Sequence, residues 1–122
     1  MKLFGKKDLG NLGESLAKKF LKKKGLKFIE NNFKYYRKEI DLIFCDKRNK
    51  VLIFVEVKTR TGREYGEPEN AINFYKQNNI RQGAVGFLQM NREYEEYDIR
   101  FDSVSVVIGK DKPDINHTEN AF

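Results

Sequence analysis

One cysteine and one histidine are present in 122 residues, and each scarcity removes a class of function. Cys45 alone cannot build a disulfide framework, and there is no Cys-x-x-Cys pair to hold zinc or exchange electrons. His117 alone, in a polar stretch near the C-terminus, excludes a histidine-rich metal site or a histidine-based triad built from one chain. No apolar run is long enough to span a membrane, and the first residues are charged and lack the apolar stretch of a secretory signal. No repeat, linker or low-complexity segment divides the chain, and no sustained heptad or apolar patch marks an interface. The expectation is one domain over 1–122, cytoplasmic, with 110–122 a docked or flexible tail.

What is abundant is charge. Twenty-four Lys and Arg stand against 18 Asp and Glu, giving a net charge of +6 and a pI of about 9.4. That balance suits a phosphate backbone or another anionic surface without choosing between them.

The informative stretch is 39–60, EIDLIFCDKRNKVLIFVEVKTR. Two apolar runs flank the polar turn 46–50 and read as strands over about 39–46 and 50–59. Period 2 puts Leu52, Phe54, Glu56 and Lys58 on one face of the second strand, and Val51, Ile53, Val55, Val57 and Thr59 on the other. In the first strand Glu39, Asp41, Ile43 and Cys45 oppose Ile40, Leu42 and Phe44. Neither strand has a wet face, so both belong mid-sheet with cover on each side. A tight turn at Arg48-Asn49 sets Asp41 opposite Glu56 and Glu39 opposite Lys58. Two carboxylates about 5 Å apart on apolar strands repel, so they share a proton or a cation. Oxygen-only ligation suits Mg²⁺ or Mn²⁺, and Lys58 beside it suits an anionic substrate.

Around the hairpin, a first helix is expected from 9 or 11 to 24, with Leu9, Leu12, Leu16, Ala17, Phe20 and Leu21 as its apolar stripe and Gly25 as its stop. Gly13 on that stripe implies close approach to the sheet. Glu14, at the stripe's edge, is either a solvated acid favouring the helix dipole or a ligand reaching inward. Residues 26–34 read as a strand. Tyr35, Tyr36, Arg37 and Lys38 form a basic aromatic connection, equally an ordinary turn or a nucleic-acid contact. The loop 60–70 places Arg60 and Arg63 near the end of the hairpin, as phosphate contacts or plain surface arginines. A second helix runs from Ala71 or Phe74 to Met90, buries Ile80, Ala84, Phe87 and Leu88, and carries Lys76, Gln77 and Arg81 near its start as candidates for phosphate contact. Gly83 and Gly86 weaken it, so packing must hold it. Residues 99–108 form the last clear strand, with Arg100 and Asp102 as a structural pair. Residues 109–120 read as loop or tail, and Ala121 and Phe122 dock on the core. The order α-β-β-β-α-β describes a small mixed α/β fold with a four- or five-stranded sheet flanked by helices.

Asp41 followed after a hairpin turn by Glu56-Val57-Lys58 has the form D-x(n)-E-x-K, which resembles the metal-binding signature of restriction-endonuclease-like nucleases and archaeal Holliday junction resolvases. A closer resemblance is to the bacterial YraN-like family, uncharacterised protein family 0102. It rests on Gly10-Asn11-Leu12-Gly13-Glu14 with Ala17, Asn32-Phe33, Glu39 to Ile43, Phe54 to Arg60, Gly66, Lys76, Arg100-Phe101-Asp102 and Asn120-Ala121-Phe122. One departure is Lys38, where that family usually has glycine. The resemblance implies a restriction-endonuclease-like fold and a Mg²⁺- or Mn²⁺-dependent nuclease acting on DNA, branched or structured DNA included. The alternative is a binding protein that keeps the fold without turnover. It implies Asp41 and Glu56 as metal ligands, Glu14 as the helix carboxylate completing them, and Lys58 as the lysine that orients water or stabilises the phosphate. Glu39 and Lys76 are matched behind these. Tyr35, Tyr36, Arg37, Arg60, Arg63 and Lys76 are the expected substrate contacts, DNA is the expected partner, and resolvases act as homodimers.

Overall fold

The structure is a computed structural model that describes residues 5–61 and 72–122. The N-terminal residues 1–4, and the 62–71 part of the loop with Arg63, Gly66 and Pro68, lie outside the described residues. The elements in order are α1 (Lys6–Lys23), β1 (Lys27–Tyr35), β2 (Lys38–Asp46), β3 (Val51–Thr61), α2 (Phe74–Met90), a 3-10 turn at Arg92–Tyr94, β4 (Asp98–Ile108) and β5 (Asp114–Thr118). They form one five-stranded sheet in the order β1-β2-β3-β4-β5. β3 and β4 are parallel, joined across one face by α2, and the other pairs are antiparallel. This mixed sheet between two helices is the restriction-endonuclease-like α/β topology.

α1 begins three residues before the earlier expected start. Gly5 caps it without a side-chain hydrogen bond, and Asp8 in the first turn with Lys22 and Lys23 in the last favours the dipole at both ends. Its stop is at Gly25, whose φ of +92° is the left-handed conformation glycine takes without penalty. The Gly25 amide donates to the Lys22 carbonyl and the Leu26 amide to the Leu21 carbonyl, so the last carbonyls are satisfied as the chain turns into β1.

The sheet separates two cores. On one face Ala17 and Leu21 of α1 meet Leu42, Phe44, Ile53, Val55, Val104 and Val106. On the other, Ile80, Ala84 and Phe87 of α2 meet Phe33, Ile40, Ile43, Cys45, Leu52 and Phe54. β2 and β3 are therefore covered on both sides, as their unbroken apolar character requires. A Cβ at Gly13 would collide with the Thr59 side chain, and one at Gly86 with the Tyr35 ring. Both helices approach the sheet so closely at these points that only glycine fits, which is why a helix with two weak formers persists.

Two expectations change. Strict alternation assigns Ile40 to the side of Leu42 and Phe44, yet Ile40 packs under α2 while Leu42 and Phe44 pack under α1. The alternation breaks at Asp41. Across from it, β1 carries a bulge between Phe28 and Glu30 and a left-handed Asn32 at φ 54°. The second change is at the C-terminus, where 114–118 is not loop but an edge strand on β4.

Candidate active site

β2 and β3 pair from Asp46↔Val51 to Leu42↔Val55, with a turn fixed by Asp46 accepting hydrogen bonds from the Asn49 amide and side chain. Continued one step, that register sets Asp41 across from Glu56. There the side chain enters the ladder, because the Val57 amide donates to Asp41 Oδ2 at 2.8 Å. Asp41 Oδ1 meets no donor among the described residues.

Glu56 is 6% exposed, and a buried carboxylate needs a counter-charge. Lys76, from the first turn of α2, supplies it at 3.1 Å from Glu56 Oε2. The helix start is itself held, since the Asn73 side chain accepts from the Lys76 amide. Burial lowers the Lys76 pKa, but the charge and hydrogen bond of Glu56, with Asp41 and Glu39 behind it, raise it above the ordinary lysine value. Lys76 is thus an ammonium held among acids.

Asp41 bears the cost of that crowding. Burial, then the Glu56 charge, then Glu14, push its pKa up to about 8, against the opposing effects of the Val57 hydrogen bond and Lys76. Glu14, on α1 across the other face, is raised too, by burial and by the charges of Glu39 and Glu56. Gly13 explains the approach of Glu14, since the helix touches β3 at the residue before it. Asn32 Nδ2 donates to Glu14 Oε1 at 3.4 Å. Beside them lies a recess of about 190 Å³ lined by Asn11, Glu14, Ser15, Lys18, Asn31 and Asn32. Asn32 is the residue whose left-handed backbone asparagine tolerates, and its contact with Glu14 was invisible in the spacing.

Four acids from α1, β2 and β3 are therefore electrostatically coupled at one end of the sheet. Among the described residues, no group of three or more His, Cys, Asp or Glu converges closely enough to cage a metal ion. Lys58 follows Glu56 by two residues on β3, half-buried and in register with Ser105 of β4, and its side chain makes no hydrogen bond or ion pair among the described residues.

The expected substrate contacts divide. Tyr36 is 85% exposed on the β1–β2 turn and Arg37 beside it is exposed, whereas the Tyr35 ring lies against Gly86 and packs into the α2 face. Arg60 is half-buried on β3, and Arg63 lies outside the described residues. Lys76 faces Glu56 rather than solvent alone. Arg81 stacks over the rings of Phe101 and Phe122, at 5.4 and 5.6 Å, and Gln77 donates to the Ile72 carbonyl, so both act in packing.

His117 is not in a polar tail. Its side chain is 1% exposed on β5, with Nε2 2.8 Å from Asp102 Oδ2. The Lys24 ammonium, a donor only, lies 2.8 Å from Nδ1, so that nitrogen accepts and the proton sits on Nε2, donated to Asp102. Arg100 grips the same carboxylate through two nitrogens at 2.9 Å, and the Asn120 amide donates to it at 3.1 Å. Burial raises the Asp102 pKa, but these hydrogen bonds outweigh it and hold the carboxyl below its ordinary range. The network docks the C-terminus, where the Ala121 amide donates to the Phe101 carbonyl and Phe122 stacks on Phe101. It joins β4 to β5, so the lone histidine is a structural residue.

Comparison with known proteins adds the following. A family model described as uncharacterised protein family UPF0102 matches residues 13–106. A UPF0102 protein of Caldanaerobacter subterraneus subsp. tengcongensis is 40% identical over 100% of both chains. UPF0102 proteins of Alkaliphilus oremlandii and Geobacter metallireducens are each 40% identical over 95% of this chain, and over 98% and 93% of their own.

Proposed function

The chain belongs to the uncharacterised protein family UPF0102, a distant restriction-endonuclease-like group, and from that premise we propose that it is a metal-dependent nuclease hydrolysing DNA phosphodiester bonds. The observation that carries the proposal is the coupled pair Asp41 and Glu56. A carboxyl lifted to about 8 by burial and a neighbouring acid is an oxygen ligand short of a cation. Mg²⁺ is usually held by one or two carboxylates with waters completing its shell, so two acids with hard oxygen atoms fit it without a three-acid cage. Asp41 and Glu56 are the residues that would hold it, with Glu14 close by and Glu39 behind. The ion would supply Lewis-acid polarisation of the phosphate and a more acidic water.

The chain's own residues have separate tasks. The Val57 amide fixes one oxygen of Asp41 and leaves the other open toward a ligand. Lys58, on the same strand face as Glu56, stabilises negative charge growing on the phosphate, a role that matters in the transition state more than in binding. Tyr36, Arg37, Arg60, Arg63 and Lys76 bind the DNA strand, and structured or branched DNA is the substrate shape that the family likeness favours. A homodimer would present two such sites to two strands.

A second reading has its own support. No three acids converge among the described residues, and Lys76 already neutralises Glu56. Such a site also suits a protein that binds nucleic acid or a partner without turnover. The deciding experiment is a cleavage screen over duplex, single-stranded, flap and four-way-junction DNA with Mg²⁺ or Mn²⁺. Asp41→Asn and Glu56→Gln are the controls. Cleavage by the wild type that both variants lose supports the nuclease. Binding without cleavage of any substrate supports the second reading, and cleavage undiminished in both variants assigns the activity elsewhere.

A further inference from the structure

Lys76 has an unusual position for a substrate-binding lysine. Its backbone is pinned by the Asn73 cap, yet its side chain is half-exposed while the Glu56 side chain it touches is 8% exposed. One end of the ion pair is fixed in the sheet, and the other is a flexible stem that can leave toward solvent without opening the core. Lys76 is the one cationic side chain in ion-pair contact with Glu56 among the described residues. A divalent ion at Asp41 and Glu56 would need the same carboxylate and would repel the ammonium.

We propose that Lys76 is a resident cation of the acid site that exchanges with the metal. It neutralises Glu56 while no divalent ion is bound, is expelled when the ion takes the Asp41 and Glu56 oxygens, and then binds the phosphate of the incoming DNA strand. This rests on the metal-site reading above and adds to it an order of events. Metal binding sets free the lysine that the substrate needs, so metal and DNA bind cooperatively through one side chain. Two cations competing for one carboxylate, followed by one cation meeting a new anion, is a differential contact of the kind that coupling requires.

The test uses the full-length protein and its Lys76→Met, Lys76→Arg and Lys22→Met variants, each first shown to melt cooperatively. Lys22 is a useful control, since it is exposed in the last turn of α1, lies 5.9 Å from the Phe28 ring, touches no carboxylate and does not line the recess beside Glu14. Mn²⁺ affinity is measured without DNA from the free-ion paramagnetic resonance signal. Affinity for a four-way junction is then measured by anisotropy in Ca²⁺ and in EDTA. The expectation is that Lys76→Met tightens Mn²⁺ by about 5- to 150-fold, the usual span of site-to-site coupling. Lys76→Arg and Lys22→Met should bind Mn²⁺ as the wild type does. Lys76→Met should lose junction affinity in Ca²⁺ and keep it in EDTA. Mn²⁺ affinity that is unchanged or weaker in Lys76→Met overturns the exchange and leaves a plain structural ion pair. Equal tightening in Lys22→Met overturns it too, since a general field effect would then suffice. Junction affinity lost equally with and without Ca²⁺ removes the second half of the proposal. The metal-site reading fails separately, and this proposal with it, if the wild type binds no Mn²⁺. If Mn²⁺ behaves as expected but no DNA is cleaved, the exchange stands and the nuclease does not.

Discussion

Replacing Asp41 by asparagine should make the protein more stable, and the more so the higher the pH. In the folded chain the Asp41 pKa is pushed up to about 8, mainly by burial and then by Glu56, whereas an ordinary aspartate ionises at 3.8. Between those values the folded protein keeps a proton that the unfolded chain has released. Folding then takes up a proton, and stability falls as pH rises, by about 1.4 kcal/mol per pH unit. From pH 5 to pH 8 the loss is on the order of 4 kcal/mol, a large share of what a domain of this size possesses. Asparagine cannot ionise, and its side-chain oxygen still accepts from the Val57 amide. Urea unfolding of both proteins in EDTA at pH 5 and pH 8 reads this group together with its effect on the acids beside it, because the remaining titrating residues are shared. The stability difference should widen by about 4 kcal/mol in favour of Asp41→Asn over that interval. Parallel pH profiles, or a gap that narrows with pH, would show that Asp41 is not a carboxyl strained by its neighbours.

Three further outcomes follow from the same structure. Asp102→Asn leaves the partly buried Arg100 guanidinium with only the exposed Glu119 carboxylate, 3.7 Å away, as counter-ion and should cost about 3 kcal/mol in urea unfolding. Because the Asp102 carboxyl is held below its ordinary value of 3.8, its stabilisation is complete at neutral pH and disappears as pH falls through the folded value, so acid unfolding should be blunted in this variant. Gly13→Ala drives a methyl into the Thr59 side chain and should cost about 1–3 kcal/mol, a melting-temperature loss that Gly10→Ala, with open space around it, does not share. If Arg37 contacts a DNA phosphate, Arg37→Ala should lower the logarithmic salt slope of duplex binding by about 0.9, and an unchanged slope excludes that contact.

The sheet and the acid pair were legible because both are local. The hairpin joining β2 and β3 is closed by four residues, 47–50, whose turn chemistry fixes the register, and that register continued by one step sets Asp41 against Glu56. Both helices could be read from their apolar spacing, and Gly13 and Gly25 announced a close approach and a stop. What stayed hidden depends on long-range partners. β5 is a short polar segment, DINHT, with no apolar pattern, and it becomes a strand because β4 offers an edge and Asp102 offers His117 a buried partner. The break in alternation at Asp41 lies across from the β1 bulge and where the Asp41 side chain takes the Val57 amide, contacts that period 2 along one strand cannot express. The Lys76–Glu56 pair spans 20 residues and two elements, so sequence could nominate Lys76 for phosphate but not place it on the acid.

The central claim is that Asp41 and Glu56 together hold a divalent cation. Crystals of the wild-type protein soaked in Mn²⁺ at pH 8, with data collected near the manganese edge, test it directly. One anomalous peak is expected at coordination distance from an oxygen of Asp41 and an oxygen of Glu56, with the Lys76 ammonium withdrawn from Glu56. A fully soaked crystal with no peak there, the Glu56–Lys76 ion pair intact and Mn²⁺ bound only elsewhere, would contradict it.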